Sequence, residues 1–465
     1  MIFRRIVSAA ALVALGAGVA CISPPAFVCT SNPDCVSETG LPGICETNGS
    51  CSFYDPSCPT TLRRYPDGAT GALASTCVPP GKQCIAQLSL GTSHSCALRT
   101  DGAVFCWGLN ANGEVGDGTM VDNPTPTQVK GLPSGHKATQ IGTAEEHTCA
   151  LMDDGTVWCW GINDTLNLGQ CNGAALASSP TPLEVPSWTP NTQTPASPTC
   201  DASTPFKASR LSLGGEHACA IGTDNALYCW GENTTGSEGG QAGQDPTVLP
   251  NVPGPLKVDF TGAVDVQCGD DYSCLAKSDN STWCFGGNQL NELANGNTST
   301  GSFAPVAING LSDTKTLALD DETACIVTST GGLFCWGNGQ TGIFGTDLTD
   351  NVAQATRITS CSQAYGGGTA ETMCVTQTDG TLQCWGANDT GQCGLGTSVA
   401  NITTPTNALL TSVSAASLGA DHTCAVTTDG ALWCWGDDSH GQVGDGQISS
   451  TPVTIPKRIT SWTCP

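Results

Sequence analysis

Seven times along this chain two cysteines stand ten positions apart, the second followed by Trp or Phe and then Gly: Cys96/Cys106, Cys149/Cys159, Cys219/Cys229, Cys274/Cys284, Cys325/Cys335, Cys374/Cys384 and Cys424/Cys434. The pairs start 53, 70, 55, 51, 49 and 50 residues apart, so one unit of about 50 residues recurs with a single insertion. A period of this size marks an array of supersecondary units that stack to share a core, not a string of unrelated domains.

The chemistry of one unit predicts its local fold. In CALRTDGAVFC two short apolar-rich runs flank Thr100-Asp101-Gly102. Asp-Gly suits a type I turn followed by a left-handed glycine, the three-residue loop of a β-hairpin. Asp154-Gly155, Asp379-Gly380 and Asp429-Gly430 repeat the pair, Asp224-Asn225 and Asp279-Asn280 keep a turn-compatible one, and Gly331-Gly332 replaces it. With such a loop Cys96 faces Cys106 directly, and facing residues lie within disulfide reach. Each pair is therefore expected to bridge its own hairpin, closing a loop worth about 2.8 kcal/mol in the chain-entropy model. Zinc fits poorly, because its knuckles separate paired ligands by only two to four residues.

The remainder of each unit is glycine-dense, as in GLNANGEVGDGT at 108–119, and then proline-rich, as in Pro124-Thr125-Pro126. Prolines are tolerated on an edge strand, and a further strand opens the unit at Leu88-Ser89-Leu90. Four short strands per unit make a propeller blade. The fold class expected is all-β: a seven-bladed β-propeller over residues 84–465, with an insertion at 171–208 between the second and third units. The 57 glycines, 28 prolines and 12% charged residues agree with a turn-rich, helix-poor chain.

Residues 1–20 place Arg4 and Arg5 before an apolar-rich run, the pattern of a signal peptide. An oxidising compartment then accounts for 28 cysteines as disulfides. Gly18-Val19-Ala20-Cys21 fits signal cleavage and also resembles a lipobox, which would make Cys21 a lipid attachment site. The expectation is an outer-membrane or surface lipoprotein if Cys21 is acylated, and otherwise a periplasmic or secreted protein. Using Cys21 for lipid leaves 27 cysteines, an odd number that counts against it. Residues 21–83 form a cysteine-rich segment in which Cys29, Cys35, Cys45, Cys51, Cys58 and Cys77 are read as a three-bridge module, since so apolar-poor a stretch cannot hold a core of its own.

The unit GTSHSCALRTDGAVFCWGLNANGEVGDG and its echo GADHTCAVTTDGALWCWGDDSHGQVGDG at 419–446 resemble the regulator of chromosome condensation repeat family. The resemblance covers about residues 84–465 and implies a closed ring of seven blades. The cysteine pairs are additions to the family pattern, and the fourth to sixth copies carry Tyr272, Thr323 and Thr372 where the others have His94, His147, His217 and His422. The founding member's nucleotide-exchange role on chromatin is not carried over to an acidic, exported chain.

Ring closure by a blade shared between the chain ends suggests a sealing disulfide Cys84–Cys464, and Cys171–Cys200 would staple the insertion. Cys268, Cys361 and Cys393 leave one partner missing. The recurring histidines and the aromatics Trp107, Trp160, Trp230, Phe285, Trp336, Trp385 and Trp435 are read as blade packing, because what recurs in every blade is scaffold. Asp153-Asp154, Asp270-Asp271, Asp320-Asp321 and Asp437-Asp438 could assist a calcium site but match no ordered calcium loop; no other cofactor is implied. No catalytic motif occurs. A net charge of −25 disfavours nucleic acid. The expected function is a monomeric binding scaffold for a protein or surface-glycan ligand, touching membrane only through an N-terminal lipid, with Trp188 of the insertion on the ligand face. Alternatives are a hydrolase or lyase built from unique loops and a structural surface protein.

Overall fold

The computed structural model describes residues 44–45, 51–54, 63–64, 84–170, 176–189, 199–234, 239–296, 301–308, 310–311, 313–339, 342–345, 352–367 and 371–462. The chain divides into two compact units, Met1–Pro80 and Gly81–Pro465. In the first, strands Ile44–Cys45, Cys51–Tyr54 and Arg63–Arg64 form an antiparallel sheet in chain order, with Cys45 opposite Cys51. Cys21, Cys29, Cys35, Cys58 and Cys77 lie outside the described residues.

The second unit is seven four-stranded antiparallel sheets, each a meander of four consecutive strands. The first blade is Ile85–Leu90, His94–Arg99, Val104–Gly108 and Asn123–Gln128; the seventh is Val413–Leu418, His422–Thr427, Leu432–Asp438 and Ser449–Arg458. The hairpin between second and third strands has the expected register. Cys96 pairs Cys106 and Leu98 pairs Val104, while Gly102 takes φ 89° and donates its N–H to Arg99.

The same register places Cys149 opposite Cys159, Cys219 opposite Cys229, Cys274 opposite Cys284, Cys325 opposite Cys335, Cys374 opposite Cys384 and Cys424 opposite Cys434. All seven pairs are bridged within their own hairpins, as expected, with Cα atoms 4.1–4.2 Å apart. That spacing belongs to facing residues that exchange no ladder hydrogen bond, which lie about 4.5 Å apart. The turns that depart from Asp-Gly serve equally well. Asn225 and Asn280 both take φ 64° to close the Cys219–Cys229 and Cys274–Cys284 hairpins, and Gly331 takes φ 81° in the Cys325–Cys335 hairpin. Asn tolerates the left-handed region better than other residues with a side chain.

The bridges are fully buried and face the neighbouring blade. Cys96 and Cys106 pack in one cluster with Trp160 of blade two, Cys149 and Cys159 with Trp230 of blade three, and Cys274 and Cys284 with Trp336 of blade five. Cys325 and Cys335 pack with Trp385 of blade six, and Cys424 and Cys434 with Trp107 of blade one. Each indole donates to a carbonyl in the glycine-rich loop of the preceding blade: Trp160 to Glu114 at 2.8 Å, Trp230 to Asn167 at 2.9 Å, Trp336 to Glu292 at 2.7 Å and Trp435 to Gln392 at 2.7 Å. Gly116 follows in that loop at φ 70°, and a Cβ there would stand 2.7 Å from the Trp160 nitrogen. The repeated Trp and the repeated loop glycine are therefore two halves of one inter-blade contact.

Four sequence expectations are corrected. Among the described residues no blade is shared between the chain ends, since strand order is sequential in all seven; blade seven packs directly on blade one. Cys84 is buried and disulfide-bonded, while its expected partner Cys464 lies outside the described residues, as does Cys171, the expected partner of Cys200. The insertion is shorter than 171–208, because Ser178–Glu184 within it is the outer strand of blade two; the addition is a hairpin of Pro186–Thr189 and Thr199–Pro205. Trp188 in that hairpin does not face a ligand: it is 6% exposed, in one cluster with Val185, Phe206 and Trp230. A large aromatic on a short two-stranded ribbon finds more apolar surface against the blades than in water. Finally, Cys268, Cys361 and Cys393 are all three unpaired and buried.

Candidate functional site

Because each blade is an antiparallel meander, the loops joining first to second strands all project at one end of the ring, around the channel mouth. Residues 144–146, 214–216, 269–271, 320–322, 366–367 with 371, and 419–421 supply Glu145 and Glu146, Glu216, Asp270 and Asp271, Asp320 with Asp321 and Glu322, Glu371, and Asp421. Six blades thus contribute an acidic collar; blade one contributes Gly91, Thr92 and Ser93. No Lys or Arg occurs in these loops, nor in the segments joining third to fourth strands. The basic residues described from Cys84 onward sit on strands or in connections at the other end, among them Arg99, Lys130, Lys137, Lys207 and Lys277.

The collar carboxyls are partly buried among like charges, and their acidities respond. Burial, then Glu232, Asp164 and Glu145, push Glu216 up to about 7. Asp320 is 1% exposed and is raised well above the usual carboxylate range by burial and by Asp321. Asp270 and Asp321 are both raised, first by burial and then by acidic neighbours that for both include Glu145; a side-chain hydrogen bond joins the two. Removing carboxylates from water disfavours the charged form, and close like charges add to that.

Beneath the collar the first strands of all seven blades enclose a cavity of about 280 Å³. Its polar side chains are partly used in holding the ring. Gln87 donates to Ile141 O at 2.7 Å and accepts from Ile141 N at 2.9 Å, and Gln140 forms the same two-way pairing with Leu211 of blade three.

The repeat histidines are fully buried and lie between blades. His94 Nε2 is 2.8 Å from Thr148 Oγ1, His217 Nε2 2.8 Å from Ser273 Oγ, and His422 Nε2 2.7 Å from Ser95 Oγ. Burial lowers His94, His147 and His422 to about 3 and His217 to about 4, so all four are neutral at ordinary pH. Tyr272, Thr323 and Thr372 occupy the same place in blades four to six, each donating its hydroxyl to a backbone carbonyl. Of the aspartate pairs considered for calcium, Asp270-Asp271 and Asp320-Asp321 fall in the collar. Asp153 and Asp154 converge with His136 on the exposed opposite end, where His136 Nδ1 lies 2.8 Å from Asp153 and Asp154 caps Thr156 and faces Lys207. Asp438 Oδ1 accepts from Val443 N inside the repeat loop. The collar went unread in the sequence, although its signal is there. Once the loops are aligned by the period, the basic residues are absent from every one of them.

Patterns described as the regulator of chromosome condensation (RCC1) repeat match residues 101–151 and 379–426, and a second pattern of the same description matches 85–114, 139–170, 209–237 and 411–442. The chain thus carries regulator of chromosome condensation (RCC1) repeats in these segments of its ring. An ultraviolet-B receptor of Arabidopsis thaliana is 27% identical over 321 residues, covering 60% of this chain and 70% of the receptor. A probable E3 ubiquitin-protein ligase of Homo sapiens is 28% identical over 210 residues, 44% of this chain but only 18% of the ligase, so the match leaves most of the ligase uncovered. Among solved structures, human WBSCR16 superposes with a TM-score of 0.63 at 22% identity, covering 77% of this chain and 94% of that one. This last likeness bears on fold alone.

Proposed function

We propose that this repeat-bearing chain is an exported binding scaffold, tethered by Cys21, that presents its collar end to a protein partner and performs no chemistry of its own. The observation that carries the reading is the segregation of charge: one end of the ring is stripped of Lys and Arg while six of its seven mouth loops carry carboxylates. A single-sign face steers and orients an oppositely charged partner. The residues that tempt a catalytic reading speak for scaffold, since the four repeat histidines are wholly buried and neutral.

The tether gains support from cysteine parity, which reverses the argument made on sequence alone. Three buried cysteines are unpaired, and 28 less three leaves 25, an odd number. One further cysteine must lack an intramolecular partner, and an acylated Cys21 satisfies the count. Photo-cross-linkers placed at Val121 and Glu371 on intact cells test the scaffold reading. Capture of a defined protein from these sites but not from Lys137 at the other end supports it. Absence of any protein adduct from either end overturns it.

A further inference from the structure

We infer that the partner is engaged through a Lys/Arg-rich peptide segment lying across the acidic collar, with one basic head reaching the Asp320 pocket of blade five. The inference rests on the scaffold reading above and names the chemistry of its ligand.

Asp320 supplies an observation separate from the abundance of acid. Its Oδ1 accepts the Thr323 N–H, but its Oδ2 has no partner, although the residue is only 1% exposed. Together with Asp321, Glu322 and Glu371 it lines a pocket of about 10 Å³, room for one water-sized group. A buried carboxyl oxygen without a hydrogen-bond partner is costly, and a cationic donor from outside the chain both satisfies it and favours the ionised form that burial otherwise suppresses. A Lys ammonium, close to water in size, brings both charge and N–H groups.

Spacing favours an extended polycation over one metal ion. Among the described residues, the groups of three ligand-type side chains whose atoms fall within 4.8 Å of one another are His217 with Cys219 and Cys268, and His136 with Asp153 and Asp154. Neither belongs to the collar, and Cys219 is committed to its disulfide. The collar carboxylates are thus spread wider than one ion's coordination shell, as suits charges distributed along a peptide. The same end also carries exposed apolar residues just ahead of the outer strands: Val121 at 71%, Val248 at 49%, Val399 at 60% and Ile448 at 54% exposure. These can hold the aliphatic stems that Lys and Arg lay along apolar surface.

The test uses the full chain and a fluorescein-labelled octalysine probe followed by anisotropy. Asp321→Asn with Glu371→Gln removes two collar carboxyls, and Glu184→Gln with Asp259→Asn removes two exposed carboxyls at the other end. The collar variant should bind about tenfold more weakly while the control binds as the parent does, and parental affinity should fall steeply with salt. Equal weakening in both variants would mean that net charge alone attracts the probe and would overturn the inference. So would calcium saturating the collar without competing with octalysine. Neutralising the collar relieves repulsion, so the variant is expected to fold, which its thermal transition checks. If the cross-linking above captures a partner through an acidic or neutral segment, this inference fails while the scaffold reading stands.

Discussion

The indole N–H of Trp107 donates to the backbone carbonyl of Gln442 at 2.8 Å, joining residues 335 positions apart and closing blade seven onto blade one. Gly444, two residues on, packs against the same indole. Because no described strand is shared across this seam, the closure depends on such contacts and on the apolar cluster of Leu88, Leu90, Val426 and Val443. Trp107→Phe keeps most of the buried area and leaves the Gln442 carbonyl without its indole donor. The Ser95 hydroxyl still donates to that carbonyl at 3.0 Å, so the loss should cost about 0.5–1.5 kcal/mol, read as a lower midpoint in chemical denaturation. Phe285 occupies the corresponding place in blade four without an N–H to give, so Phe285→Ala should lose packing only.

His147 is the odd member of its ring. Both its imidazole nitrogens are buried without partners, whereas His94, His217 and His422 each meet a hydroxyl of the next blade. The corresponding position in blade three is Ala218, where blades one, two and four carry Ser95, Thr148 and Ser273. Ala218→Ser should restore the contact and raise stability by about 0.5–1.5 kcal/mol. The same substitution beside His147→Ala should give no such gain, a difference that a double-mutant cycle in denaturant measures directly.

Much of this architecture was legible because it repeats. The Cys96/Cys106 register follows from turn length alone, and seven pairs fix seven blades. What failed was whatever occurs once. The chain-end closure was misread because a sequential meander and a shared blade place Cys84 and Cys464 equally near the ends. Trp188 was misplaced because a single aromatic in a proline-rich insertion shows no periodicity to separate an exposed face from a buried one. The collar was missed because its acidity is spread over six loops some 50 residues apart, and only the three-dimensional ring gathers Glu145, Asp270 and Asp321.

Glu216 makes the collar's electrostatic cost measurable. Burial, then Glu232, Asp164 and Glu145, push its folded-state pKa up to about 7, against about 4.5 in an unfolded chain. The native state therefore holds a proton that the unfolded state releases, and stability falls as pH rises from about 4.5 through about 7. Glu216→Gln carries no charge at any pH. Denaturation midpoints of parent and variant should nearly coincide at pH 4, with the variant more stable at pH 8. The repeat histidines act in the opposite sense, losing stability as pH falls below 6.5, but equally in both proteins. A variant less stable than the parent at pH 8 would show that Glu216 holds the loop through its contact with Thr165 and not against its neighbours' charge.

Cys268, Cys361 and Cys393 behave as small apolar side chains. Cys268 ends the first strand of blade four where blades one, three and seven have Leu90, Leu213 and Leu418, and Cys393 fills the loop position held elsewhere by Val115 and Val443. Burial pushes the thiols of Cys268 and Cys361 up to about 11 and that of Cys393 up to about 12, so almost no thiolate exists at neutral pH. Iodoacetamide should leave all three unmodified in the native chain and alkylate all three in guanidinium without reductant, as peptide mass spectrometry would read. A chain acylated at Cys21 should show no fourth site. A Cys21 found alkylated by iodoacetamide would satisfy the same parity with a free thiol, and would remove the tether while leaving the propeller and its collar as they stand.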